Sequence, residues 1–98
     1  MANIKKVLQT AKFERAVKKL KRNQKADLDT AIQAVINDPG IGTRKTGCLS
    51  HIQVYKFKMV NQLTLLAYHY DKGELVLELV SFGSHENFYR NLERHEKH

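Results

Sequence analysis

Five histidines and seventeen lysines and arginines carry most of the chemistry this chain can do. Histidine titrates near about 6.5, so it can give or take a proton at neutral pH. Lysine and arginine hold and stabilise phosphate charge. Two placements stand out. Lys56 and Lys58 alternate with Tyr55 and Phe57, so on a strand both lysines point the same way and can grip one phosphate region. His85 follows Gly83-Ser84, at a predicted strand-to-helix junction. There a side chain can project into a cleft, and a helix N-terminus can help hold a phosphate. Tyr89 lies four residues on, on the same helix face. Each has a plainer reading. Lysines protect strand edges, His85 can be a surface histidine in a first helical turn, and Tyr89 can pack the helix on the sheet. His51 sits between a glycine-rich loop and a strand. His69 shares a strand face with Leu63, Leu65 and Ala67, which favours a partly buried structural histidine. The spacing of His51, His69 and His85 is not a metal signature. Cys48 is the sole cysteine, which excludes an intrachain disulfide and a cysteine-cluster zinc site. No metal or cofactor is expected.

The elements that must position these residues follow from the periodicity. Ile4–Gln9 reads as a short strand. Thr10 reads as the N-cap of a helix running to about Arg22, with Phe13, Val17 and Leu20 on one stripe. Lys12, Arg15, Lys19 and Arg22 fall on another face. Asn23-Gln24 interrupts the pattern. A second helix with Leu28, Ala31, Ile32 and Val35 ends at Asn37-Asp38-Pro39-Gly40. A basic loop with Arg44 and Lys45 follows. The period then changes to two: strands over Ile52–Met59, Leu63–Tyr70 and Glu74–Phe82, with turns at Asn61-Gln62 and Asp71-Lys72-Gly73. Gly73 suits a left-handed turn position and Gly83 breaks the last strand. Ser84 then caps a helix from His85 to about Arg94. The expected fold is α+β in the order β-α-α-β-β-β-α. Its antiparallel sheet is covered on one face by the helix hairpin, with Tyr55, Phe57 and Met59 toward the helices.

Length and charge narrow the class. The 98 residues suit a single domain over 1–98. No apolar run approaches a membrane span, and Met1–Lys6 has no secretory h-region, so a soluble cytoplasmic protein without a membrane partner is expected. The net charge is +7. Eleven basic residues stand against four acidic ones in residues 1–49, and six against six in residues 50–98. The excess therefore lies in the first half, mostly between Lys12 and Lys25 on the predicted helix hairpin, which reads as a solvated helix face or a docking surface for a polyanion.

Element order, length and charge together resemble the RelE/ParE superfamily of bacterial type II toxin–antitoxin toxins. The residues that carry the likeness are Tyr55-Lys56-Phe57-Lys58, Leu66-Ala67-Tyr68 and Gly83-Ser84-His85-Glu86-Asn87-Phe88-Tyr89. RelE-like members have a Tyr-Lys-x-Lys strand, and the YafQ-like branch has a Gly-Thr-His segment with an aromatic four residues past the histidine. The resemblance implies a ribosome-dependent mRNA endonuclease in which the ribose 2′-OH attacks the adjacent phosphodiester. His85, Lys56, Lys58 and Tyr89 would be its catalytic set. Lys12, Arg15, Lys19, Arg22, Arg44, Lys45 and His51 would bind RNA. The partners would be the ribosome, mRNA and a cognate acidic antitoxin. ParE-like members share the fold but inhibit DNA gyrase, and that alternative stays open because Thr64–Tyr68 carries no arginine where RelE-like members have one. A basic nucleic-acid- or protein-binding module is a second alternative.

Overall fold

The computed structural model describes residues 4–44 and 51–84. Its elements are β1 (Lys6–Gln9), α1 (Ala11–Lys18), α2 (Arg22–Asn37), β2 (Thr43–Arg44), β3 (Gln53–Met59), β4 (Gln62–Asp71) and β5 (Val76–Ser84). The two-residue β2 was not expected, because nothing in Thr43-Arg44 alternates. The predicted C-terminal helix lies outside the described residues.

Thr10 is the N-cap of α1. Its extended backbone (φ −70°, ψ 158°) lets Oγ1 accept the Phe13 N–H at 3.0 Å. The same hydroxyl donates to the Val80 carbonyl at 2.8 Å, so the cap also ties α1 to β5. The break between the helices falls earlier than the sequence pattern suggests. Lys21 is extended (ψ 164°), and its backbone N–H donates to the Gln24 side chain at 2.8 Å. Asn23 and Gln24 therefore build the first turn of α2 instead of interrupting a helix, and Arg22 opens α2 instead of closing α1. At the other end, Asp38 leaves helical geometry and its Oδ1 accepts the Gly40 N–H.

The sheet order is β1-β5-β4-β3-β2. β2–β3, β3–β4 and β4–β5 pair antiparallel, but β1 pairs parallel with β5, Lys6 opposite Val76 through Gln9 opposite Leu79. The sheet is mixed, not purely antiparallel. The reason is topological. β3, β4 and β5 form a meander, so β5 runs in the direction of β3. The helix hairpin and then β2, which runs antiparallel to β3, separate β1 from β3, and β1 runs parallel to β5 and so in the direction of β3.

Both hairpin turns differ in detail from their sequence signals. Between β3 and β4 the left-handed residues are Val60 (φ 48°) and Asn61 (φ 68°), the two-residue turn whose twist matches flanking strands. Asp27 of α2 accepts the Val60 N–H at 2.8 Å, so the helix holds this turn. Between β4 and β5, Asp71 Oδ1 accepts the N–H groups of Gly73 and Glu74. The left-handed residue there is Leu75 (φ 58°), not Gly73, because the Asp71 side chain organises the first part of the turn. Nor does Gly83 end β5, which continues to Ser84 with Gly83 paired to Leu65.

The helices pack on one sheet face. Phe13, Leu28, Ala31 and Val35 meet Met59, Leu66, Tyr68, Leu77 and Leu79, with Tyr55 and Phe57 against this core. A smaller buried cluster on the opposite face joins Ile52, Val54, Leu65, Ala67 and Val80. The expected burial of the Tyr55, Phe57 and Met59 face is found.

Val60 gives the first prediction. A β-branched residue in left-handed geometry is strained, and its side chain is 45% exposed, so little packing is lost on replacing it. Val60→Asn should raise stability by about 1 kcal/mol, read as a higher urea midpoint with unchanged m; an unchanged or lower midpoint would show that the turn stores no such strain.

Candidate functional site

The alternation of β3 sets the first feature. Tyr55 and Phe57 stack in parallel (ring centroids 6.3 Å apart, 8°) on the helix side. Lys56 and Lys58 are thereby turned to the opposite side, where both are exposed. β2 pairs only with Gln53 and Val54, so among the described residues β3 is a sheet edge from Tyr55 onward. The lysine pair stands on that edge, and edge protection and phosphate binding make the same demand on it.

Cross-strand register brings the end of β5 toward these lysines. Lys56 is opposite Leu65, and Leu65 is opposite Gly83, so Lys56, Leu65 and Gly83 form one row on one face. Ser84 pairs with Thr64, which pairs with Phe57. At about 5 Å per strand, β5 ends about 10 Å from β3. His85 and Tyr89 lie outside the described residues, as does Lys45.

The histidines sort differently. His51 and His69 meet edge-to-face, with ring centroids 6.1 Å apart at 68°. His69 is half-buried and opposite Glu78. It lies four residues along β4 from Leu65, so the pair is about 13 Å along the sheet from the row of Lys56. His51 therefore joins His69 and not the lysines. The basic residues of α1 also divide. Lys12 is half-buried, Arg15 and Lys19 are exposed, and Arg22 sits on the exposed first turn of α2. Arg44 on β2 is opposite Gln53. Gln53 shares the face of Tyr55, so Arg44 belongs to the helix side of the sheet, opposite Lys56 and Lys58. Among the described residues no three His, Cys, Asp or Glu side chains converge as a metal set.

A buried polar network was missed from sequence. The Tyr68 hydroxyl donates to the Pro39 carbonyl at 2.7 Å and accepts the Gly42 N–H at 2.9 Å. Gln53 Nε2 donates to the carbonyls of Pro39 (3.0 Å) and Gly42 (3.3 Å) and to the Tyr68 hydroxyl (3.4 Å). Tyr68 is fully buried. Burial pushes its phenol pKa above the ordinary 10.0; nearby Asp38 adds to this, while the Gly42 N–H and Arg44 oppose it. The available signal was a tyrosine inside an apolar strand, since a buried phenol needs a partner. Its partners lie 26 and 29 residues away, beyond any local pattern. Beside this network is a cavity of about 630 Å³ lined by Asp38, Arg44, Gln53, Tyr70 and Lys72. A smaller groove of about 290 Å³ runs between Phe13, Val17, Leu28 and Ile32.

Parallel β1, a helix hairpin over one face and an outward lysine pair at the meander edge define a recognisable scaffold. The family model for the ParE-like toxin of type II bacterial toxin-antitoxin systems matches residues 7–93. The chain belongs to this family, within the RelE/ParE superfamily of toxins. Among solved structures it is similar to a doubly substituted Escherichia coli toxin RelE in the free state. That match has 20% identity and a TM-score of 0.66, covering 96% of this chain and 98% of that one. The isolated E. coli RelE toxin matches at 19% identity and a TM-score of 0.63, covering 90% and 95%. A chain of the intact E. coli RelBE toxin-antitoxin complex also matches at 19% identity and a TM-score of 0.63, covering 80% of this chain and 93% of that one. No curated protein sequence matches. At these identities the structural likeness establishes the fold, α+β with a mixed sheet and two helices. No described helix is long and apolar enough to cross a membrane.

The Tyr68 network gives a stability prediction with a definite sign. Folding favours the protonated phenol, so its contribution is complete below about pH 10 and is lost as pH rises through the raised folded-state pKa. Tyr68→Phe should cost about 1–2 kcal/mol at pH 7 and flatten the fall in stability above about pH 10. Urea melts at pH 7 and above would check both; a variant as stable as the parent at pH 7 contradicts the network's role.

Proposed function

We propose that this toxin is a ribosome-dependent mRNA endonuclease. The observation that carries the reading is the outward Lys56/Lys58 pair, two strands from the point where β5 delivers the chain into Ser84-His85. In the proposed reaction the ribose 2′-OH attacks the adjacent phosphorus. The P–O5′ bond breaks, leaving a 2′,3′-cyclic phosphate and a free 5′-OH. His85 takes the 2′-OH proton or gives one to the leaving 5′-oxygen, and solvent water carries the other of these two transfers. Lys56 and Lys58 hold the charge that builds on the phosphoryl oxygens. Tyr89 stacks a base beside the scissile bond.

Lys12, Arg15, Lys19 and Arg22, with Arg44, Lys45 and His51, supply phosphate contacts outside that centre. Such binding weakens steeply with salt. The chain acts as one domain over residues 1–98 in the cytoplasm. A cognate acidic antitoxin neutralises it, a reading supported by the family description and by the solved RelBE complex. No metal or cofactor is required by these steps.

A second reading has its own observation. Thr64–Tyr68 on β4 carries no arginine, and the matching family model is the ParE-like one; both favour a gyrase inhibitor without nuclease chemistry. Induced expression followed by primer extension on cellular mRNA separates the two. Cuts within codons support the endonuclease. Intact mRNA with an induced DNA-damage response supports gyrase. In the endonuclease reading, His85→Ala and Lys56→Ala each lower cleavage at least about a hundredfold and relieve growth inhibition. Full toxicity in both variants would refute chemistry at this site.

A further inference from the structure

The cavity beside Tyr68 takes no part in the proposed reaction. It lies on the helix side of the sheet, opposite Lys56 and Lys58. Arg44, Gln53 and Tyr68 form one cross-strand row there, and Tyr70 continues the same face along β4. α2 ends at Asn37 and no longer covers this part of the sheet. The rim beyond the helix is fixed in place, since Tyr68 and Gln53 hold Pro39 and Gly42. At about 630 Å³ the cavity falls within the roughly 300–1,000 Å³ of small-molecule sites.

Its lining is chemically mixed in an informative way. Arg44 and Lys72 place two cations at the cavity, which suits a phosphate. Tyr70, half-buried against the core, offers an aromatic surface for a planar base. Asp38 brings a carboxylate, which when ionised only accepts hydrogen bonds. A pure phosphate site would exclude that carboxylate. A nucleotide whose base presents paired N–H donors would use it, and guanine does so on its Watson–Crick edge. We propose that this cavity is a nucleotide subsite: phosphate on Arg44 and Lys72, base against Tyr70, with Asp38 selecting guanine over uracil. The proposal deepens the RNA reading above and rests on it for the source of the nucleotide, a residue of bound RNA outside the scissile step.

The test is an NMR titration of the full chain carrying Lys56→Ala, which silences the proposed reaction. The probes are 5′-GMP, 5′-UMP and inorganic phosphate. GMP should shift the amide signals of Gly40, Tyr70 and Lys72 and bind more tightly than UMP. Lys72→Ala should weaken GMP roughly tenfold. Asp38→Asn should erase the GMP preference while a far-UV CD spectrum stays unchanged. Three results would overturn the proposal: no shift at saturating GMP, equal shifts with inorganic phosphate alone, or GMP shifts confined to the β3 residues around Lys58. The two readings fail separately. GMP binding in a chain whose His85→Ala variant stays fully toxic overturns only the endonuclease. A toxin silenced by His85→Ala that binds no GMP overturns only the subsite.

Discussion

The Tyr68 hydroxyl is the interaction on which the arrangement of the described structure depends. It sits at the base of the sheet, fully buried, and gives its proton to the Pro39 carbonyl while taking the Gly42 N–H. Both backbone groups belong to the segment that carries the chain from the end of α2 into β2. Without a partner, each would be a buried polar group with an uncompensated desolvation cost. Gly42 has no room for a side chain, since a Cβ there would stand 2.6 Å from the Tyr68 oxygen. The loop, the short β2 and the start of β3 are thus fixed by one phenol. Its neighbour Gln53 completes the set, and the two residues face each other across β3 and β4.

That clamp fixes where β3 begins, and the alternation of β3 then decides which residues face which way. With Gln53 committed to the helix side, Tyr55, Phe57 and Met59 follow it at two-residue intervals, and Lys56 and Lys58 must face away. A slip of one residue would bury both lysines against Leu28 and Val35 and expose the aromatic pair. The cost of burying two unpaired ammonium groups makes that alternative untenable. Placement of the candidate phosphate-binding pair is therefore a consequence of core packing. The Asp27 hydrogen bond to Val60 closes the other end of the strand, so β3 is held in register at both ends by groups outside the meander.

What could be read from the sequence was what depends on near neighbours. The Thr10 cap, the alternation around Lys56 and the Phe13–Val17 part of the first helical stripe each show in a few consecutive residues and are found in the structure, while Leu20 packs on the core from beyond the end of α1. The misses share a different cause. The parallel β1–β5 pair joins residues about seventy positions apart, and nothing in Lys6–Gln9 says which way its partner runs. The helix break moved because Gln24 reaches back to Lys21, a side-chain contact that outweighs the local appearance of Asn23-Gln24 as an interruption. Gly73 was a sound turn residue by type, but Asp71 captured the turn and passed the left-handed position to Leu75. The candidate site was legible only as residue types. Register separated His51 from the lysines and placed it with His69, and Arg44 went to the opposite face.

The distribution of charge divides the scaffold into two parts. The excess positive charge belongs to residues before β3, mostly α1 and the start of α2 with Lys5 and Lys6 at β1, while β3 to β5 are balanced with the lysine pair included. In the proposed reading the first attracts a polyanion and the second does the chemistry, because long-range attraction depends on net charge and chemistry on a few oriented groups. These two functions sit on elements that do not constrain each other. The meander can lose an arginine from Thr64–Tyr68 with no effect on the helix hairpin, since the inward residues Leu66 and Tyr68 carry the packing. On the outward face of β4, Leu65 and Ala67 are buried in the second cluster, and Leu63 near the start of the strand is exposed. Packing therefore sets the mixed sheet and its two buried clusters, and exposed positions such as Lys56, Lys58 and Leu63 are ones whose side-chain type it leaves unspecified.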